Sequence, residues 1–102
     1  SQMDDLSPER ALSTIHEILA NKSSGSISFT KHAKKQMGPR GYTTQDVVYI
    51  LETGKILEIE LKPNGQWHCK VEGYDLDGDR GVVITAIINE NHLLVITVLG
   101  GT

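Results

Sequence analysis

The sequence predicts an α+β fold in which N-terminal helices pack on a four- to five-stranded, mainly antiparallel, curved sheet. Two observations carry the prediction. Apolar residues recur with a helical period before Gly54 and with a period of two after it. The turn-forming stretches PNG, DLDGDRG and NENH then divide the second half into four consecutive apolar runs. With 102 residues, 38% hydrophobic and 23% charged, the chain can close one core without disulfides or a structural metal.

The first element is an amphipathic helix over residues 8–20, PERALSTIHEILA. Leu12, Ile15, Ile18 and Leu19 fall on one face, Ser7 stands at the N-cap and Pro8 at the first helical position. NKSSGS, residues 21–26, reads as a connector. The chain therefore divides into a helix and linker, 1–25, and an α+β domain, 26–102. Ile27 and Phe29 alternate with polar residues as a short strand does, and Thr30 caps a short helix from Lys31 to about Met37 that GPRG is expected to end. Thr43 and Asp46 have capping-box spacing, Val47, Val48, Ile50 and Leu51 follow at helical spacing, and Gly54 suits the C-terminal cap.

Beyond Gly54, KILEIEL sets Leu57, Ile59 and Leu61 against Glu58 and Glu60, and WHCKVEGY follows across the PNG turn as the second arm of a hairpin. GVVITAII and LLVITVL are nearly all apolar and rich in β-branched residues, as expected of central strands.

Composition narrows the function classes. Cys69 is the only cysteine, so there is no internal disulfide and no thiolate zinc set, and a reducing, cytoplasmic setting is expected. No run approaches the roughly 20 apolar residues of a membrane span, so no membrane association is expected. The net charge of −3 is unevenly spread: residues 26–41 hold four bases and no acid, whereas residues 42–102 hold nine acids and four bases. A basic patch on an acidic body can still attract an anion.

That patch is SFTKHAKKQMGPRG. On a helix, His32 shares a face with Lys35 and Gln36, while Lys31, Lys34 and Lys35 crowd like charges at three- and four-residue spacing. Two readings stand: a solvated face, or a surface awaiting an anionic partner. Arg40, just before a helix start, suits either a phosphate clamp or a bond to a nearby carbonyl. In WHCKVEGY the period of two places Trp67, Cys69 and Val71 on one face and His68, Lys70, Glu72 and Tyr74 on the other. The second face is either a solvent-facing strand surface or the floor of a cleft.

DLDGDRG spaces acids as a calcium loop does, but Arg80 and Ala86 stand where such a loop needs glycine and glutamate, so it reads as a turn. His16, His32, His68 and His92 lack metal-ligand spacing, and no cofactor fingerprint is present. Thr97 is the one polar side chain in the apolar run VITVL, and is either a good strand former or a residue of the open face.

From Ile27 to Leu99 the chain resembles the bacterial family catalogued as domain of unknown function 4258. The resemblance rests on His32-Ala33 after a short strand, Arg40-Gly41 before a Thr-capped helix ending at Gly54, the strand meander, and the closing ITVL with Thr97. It implies kinship with the RelE- and barnase-like group, which packs helices on a curved antiparallel sheet and includes toxins that cut RNA without a metal.

The function this implies is a metal-independent, toxin-like ribonuclease acting on RNA, with an antitoxin-like protein as partner. A 2′-hydroxyl would attack the adjacent phosphate with help from a base, an acid and a cation. His32 is expected as acid or base, Arg40 as phosphate clamp and Lys35 as electrostatic helper, with Lys31, Lys34, Lys70, Arg80 and Thr97 as substrate-binding residues. The alternative is a non-catalytic RNA- or protein-binding module on the same fold, suggested by the acidic body.

Overall fold

A computed structural model describes residues 6–100. Among them are three helices, α1 (Pro8–Ala20), α2 (Lys31–Arg40) and α3 (Thr44–Thr53), and five strands, β1 (Ser26–Phe29), β2 (Lys55–Leu61), β3 (Trp67–Tyr74), β4 (Arg80–Asn89) and β5 (His92–Gly100). The strands form one mixed sheet in the order β1-β5-β4-β3-β2. β2 to β5 make the antiparallel meander, and β1 joins its far side parallel to β5. No helix among the described residues is long and apolar enough to cross a membrane.

Local chemistry sets the helix boundaries. The Ser7 side chain accepts from the Arg10 amide, and α1 then buries Ala11, Ile15 and Ile18. At the start of α3 the capping box is complete. The Asp46 amide donates to Thr43 Oγ1 at 3.3 Å, and the Thr43 amide donates to Asp46 Oδ2 at 3.0 Å. α3 ends where Gly54 turns extended, at φ −80° and ψ −176°, and the position is glycine because a Cβ there would stand 2.5 Å from the Glu72 carbonyl oxygen and 2.6 Å from that of Ile50.

Two expectations are corrected. Helix α2 continues through Gly38 and Pro39 to Arg40 instead of stopping near Met37. Proline's fixed φ suits a helix, and in the last turn its missing N–H costs only one backbone bond. Gly41, at φ 69°, supplies the left-handed residue that stops it. In β2 the register passes from Ile56 opposite Val71 to Glu58 opposite Lys70, so Leu57 is an extra, bulged residue. The phase shifts there: Ile56 and Ile59 pack on the core, and Leu57 is 45% exposed.

All three helices cover one face of the sheet. Ala11, Ile15 and Ile18 of α1, Ala33 and Met37 of α2, and Val47, Ile50 and Leu51 of α3 share a cluster with Cys69, Val71, Val83, Ile87, Leu93, Val95 and Val98. Such burial is worth roughly 1.5–3 kcal/mol per large side chain. On the opposite face, His68 and Lys70 lie where no helix among the described residues lines the surface around them.

β5 extends past the short β1, which pairs only with His92 to Val95, and α2 covers the edge left free. Thr30 Oγ1 donates to the Ile96 carbonyl, Gln36 Oε1 accepts from the Val98 amide at 2.7 Å, and Arg40 Nε donates to the Gly100 carbonyl at 2.7 Å. Side chains of one helix thus replace a missing strand, a recognised way of closing an edge.

Candidate active site on the open sheet face

Register alone brings the polar groups of the open face together. One cross-strand row runs Glu58, Lys70, Ile84, Thr97, and the next runs Glu60, His68, Ala86, Leu94. Neighbouring strands are about 4.8 Å apart, so each carboxylate lies beside a cation or an imidazole. A second bulge sharpens the arrangement. Ile84 pairs with Thr97 and Thr85 with Val95, leaving Ile96 extra on β5, and Ile96 and Thr97 both reach the same groove. Glu58, Glu60, Lys62, His68, Lys70, Ile84, Ile96 and Thr97 line this concavity of about 290 Å³.

The electrostatics favour a neutral imidazole. Burial pushes His68 below its ordinary pKa, the Lys62 ammonium pushes the same way, and Glu60 pulls it partly back. Lys62 is itself paired with Glu60 at 3.0 Å, whereas Lys70 forms no salt bridge among the described residues. Glu58 stands directly opposite Lys70 in the register without forming an ion pair with it. Behind the floor, burial pushes the Cys69 thiol up to about 11, so it stays a protonated packing group. The groove therefore offers a proton acceptor, an available cation and two carboxylates on a rigid sheet.

The deciding comparison is at the level of family. A family model described as a domain of unknown function, DUF4258, matches residues 29–99. The chain belongs to the DUF4258 family. No curated protein and no solved structure matches it. The whole groove falls inside the DUF4258 segment, and α1 falls outside it.

Of the residues singled out in the sequence, this DUF4258 fold brings Lys70 and Thr97 together in the groove. His32, Lys31, Lys34 and Lys35 lie exposed on α2 and line neither this groove nor the second concavity described below. Arg40 spends its guanidinium on main-chain carbonyls, with Nε on Gly100 and Nη1 on Gln36 at 2.6 Å. Arg80 is paired with Glu72 in the second concavity, at the other end of β3.

DLDGDRG is a turn organised by the buried Asp75. Its Oδ1 accepts from the amides of Asp77 and Asp79, both at 2.9 Å. Burial raises the Asp75 pKa, but the Tyr42 hydroxyl and the amides of Asp79, Asp77 and Gly78 outweigh it and hold the carboxyl below its usual value. Among the described residues, no three His, Cys, Asp or Glu side chains form a group able to hold a metal ion.

Sequence reasoning did not select His68, Glu58, Glu60 and Lys62 as site residues. Their signal was the polar alternation of β2 and β3. What the alternation lacks is the hairpin register, fixed by the Lys62 amide donating to the Gln66 carbonyl at 2.9 Å, which sets Glu60 against His68.

Proposed function

We propose that the chain is a ribonuclease that works by side-chain acid–base chemistry, with its site on the open face of a RelE-like, toxin-type frame. The observation that supports this best is the half-buried His68 and, two residues along the strand, Lys70, which has no ion-pair partner among the described residues, both lining one open groove. A neutral His68 takes the proton of the ribose 2′-hydroxyl, whose oxygen attacks the adjacent phosphorus. Lys70 offsets the charge that builds on the non-bridging oxygens. The bond to the 5′-oxygen breaks, and that oxygen leaves with a proton from the solvent filling the groove. The products are a 2′,3′-cyclic phosphate and a free 5′-hydroxyl.

The test is incubation of the purified chain with total RNA in the presence of a chelator, with and without ribosomes. Fragments ending in cyclic phosphate are expected; RNA that stays intact under every condition overturns the reading.

A second reading has its own support. The groove balances Lys62 and Lys70 against Glu58 and Glu60, and the net charge of −3 suits a protein partner such as an antitoxin better than a polyanion. In that case the open face binds without cleaving. A basic protein that co-purifies with the chain and is released by E58K/E60K, with no cleavage of RNA, would favour it.

A further inference from the structure

A second, larger concavity of about 450 Å³ lies where the end of α3, the start of β2 and the end of β3 meet, and Tyr49, Thr53, Lys55, Glu72, Tyr74 and Arg80 line it beside Gly54 and Gly73. Its composition is unlike a solvated rim. Tyr49 is 39% exposed and Tyr74 61% exposed, and neither hydroxyl has a partner among the described residues. Two aromatic faces are thus presented where burial would be favourable. In the same lining the Glu72 side chain is only 14% exposed, and Arg80 binds one of its oxygens, Oε2. Oε1 has no partner among the described residues. Oε1 is not sealed from solvent, so it can exchange water for an N–H donated by a ligand. Lys55 forms no salt bridge among the described residues.

The two concavities are adjacent steps on one strand. Lys70 lines the groove and Glu72 lines the second site, two residues along β3 and therefore about 6.6 Å apart. That is within reach of the sugar and base of the nucleotide next to a phosphate held at Lys70. Aromatic faces beside cations are the usual means of gripping a single-stranded base.

We infer that this second concavity is a base-binding subsite for the nucleotide adjoining the cleaved phosphodiester. The base stacks on Tyr49 and Tyr74 and donates an N–H to Glu72 Oε1, while Lys55 and Arg80 face the next phosphate. This inference rests on the ribonuclease reading, and its test separates the two.

The full chain is titrated with the four 5′-nucleoside monophosphates, and the ring resonances of Tyr49 and Tyr74 are followed by NMR. At least one nucleotide is expected to shift both rings, with binding weakened about tenfold in Y74A and in E72Q. Rings unmoved by all four nucleotides at millimolar concentration overturn the subsite. In parallel, Y49A/Y74A should raise KM for an oligoribonucleotide about tenfold or more and leave kcat nearly unchanged. If the wild type cleaves RNA but KM does not move, the subsite is wrong and the ribonuclease reading survives. If the rings shift while RNA stays intact, the nucleotide site stands and cleavage falls.

Discussion

In the proposed reaction His68 is the base, and its surroundings give signed predictions. Because burial and Lys62 lower its pKa while Glu60 raises it, an NMR titration of the ring should give a midpoint below the ordinary value of about 6.5. K62M should move the midpoint up and E60Q should move it further down. The acid limb of kcat/KM should follow in the same directions, since the base works in its neutral form. The same shift has a stability consequence: below the unfolded pKa the unfolded chain binds more protons, so the His68 contribution is present above about 6.5 and is lost as the pH falls toward the folded value. A midpoint at or above 6.5, or one that ignores Lys62 and Glu60, contradicts this assignment. At this scale the sequence was only partly legible. The polar face of WHCKVEGY showed a possible cleft floor, but the basic run around His32 showed the larger charge anomaly. Charge pattern cannot reveal that Arg40 reaches carbonyls four and sixty residues away.

At the scale of elements, α2 acts as a substitute strand along the end of β5. Gln36 carries the most exposed energetic consequence, because it is the partner of the Val98 amide in a partly buried position. Q36A should lower stability by about 1–2 kcal/mol in urea unfolding, and Q36E, which keeps an acceptor, should recover most of the loss. R40A should cost less, since its two bonds are exposed. An R40A variant of unchanged stability but lost activity would instead return Arg40 to the site.

Helix and strand order followed from periodicity, and the cap at Thr43 and Asp46 from spacing alone, because these are local effects. The bulges at Leu57 and Ile96 did not. Each is settled by pairing with a neighbouring strand; without the bulge in β2, Leu57 is read on the core face in place of Ile56, whereas Ile59 is rightly set against Glu58 and Glu60. Pro39 misled for a related reason: a proline stops a helix from propagating, yet is tolerated in a last turn that a left-handed glycine closes.

For the whole molecule, the question is which charges RNA meets. The open face carries Lys62 and Lys70, and the basic run of α2 lies on an element packed against the other face. Binding through the groove alone releases few counterions. For two phosphate contacts, the slope of log affinity against log salt should be about −1.4 for a short single-stranded oligonucleotide. Engagement of Lys31, Lys34 and Lys35 as well would steepen it to about −3.5. K34E/K35E should therefore leave short-oligonucleotide binding nearly unchanged. The overall α+β architecture was legible because the second half of the chain is an unbroken series of alternating runs and turns. The parallel placement of β1 was not, since a four-residue strand carries no sign of its partner's direction.

In the proposed reaction RNA is cut on the open face. The most direct test compares kcat/KM for a short single-stranded RNA, in chelator, between the wild type, H68A and H32A. The proposed chemistry predicts a loss of about 10²–10⁴-fold for H68A, typical of removing a general base, with H32A within a few-fold of the wild type. Full activity in H68A together with its loss in H32A would contradict the assignment and move the site to the basic helix.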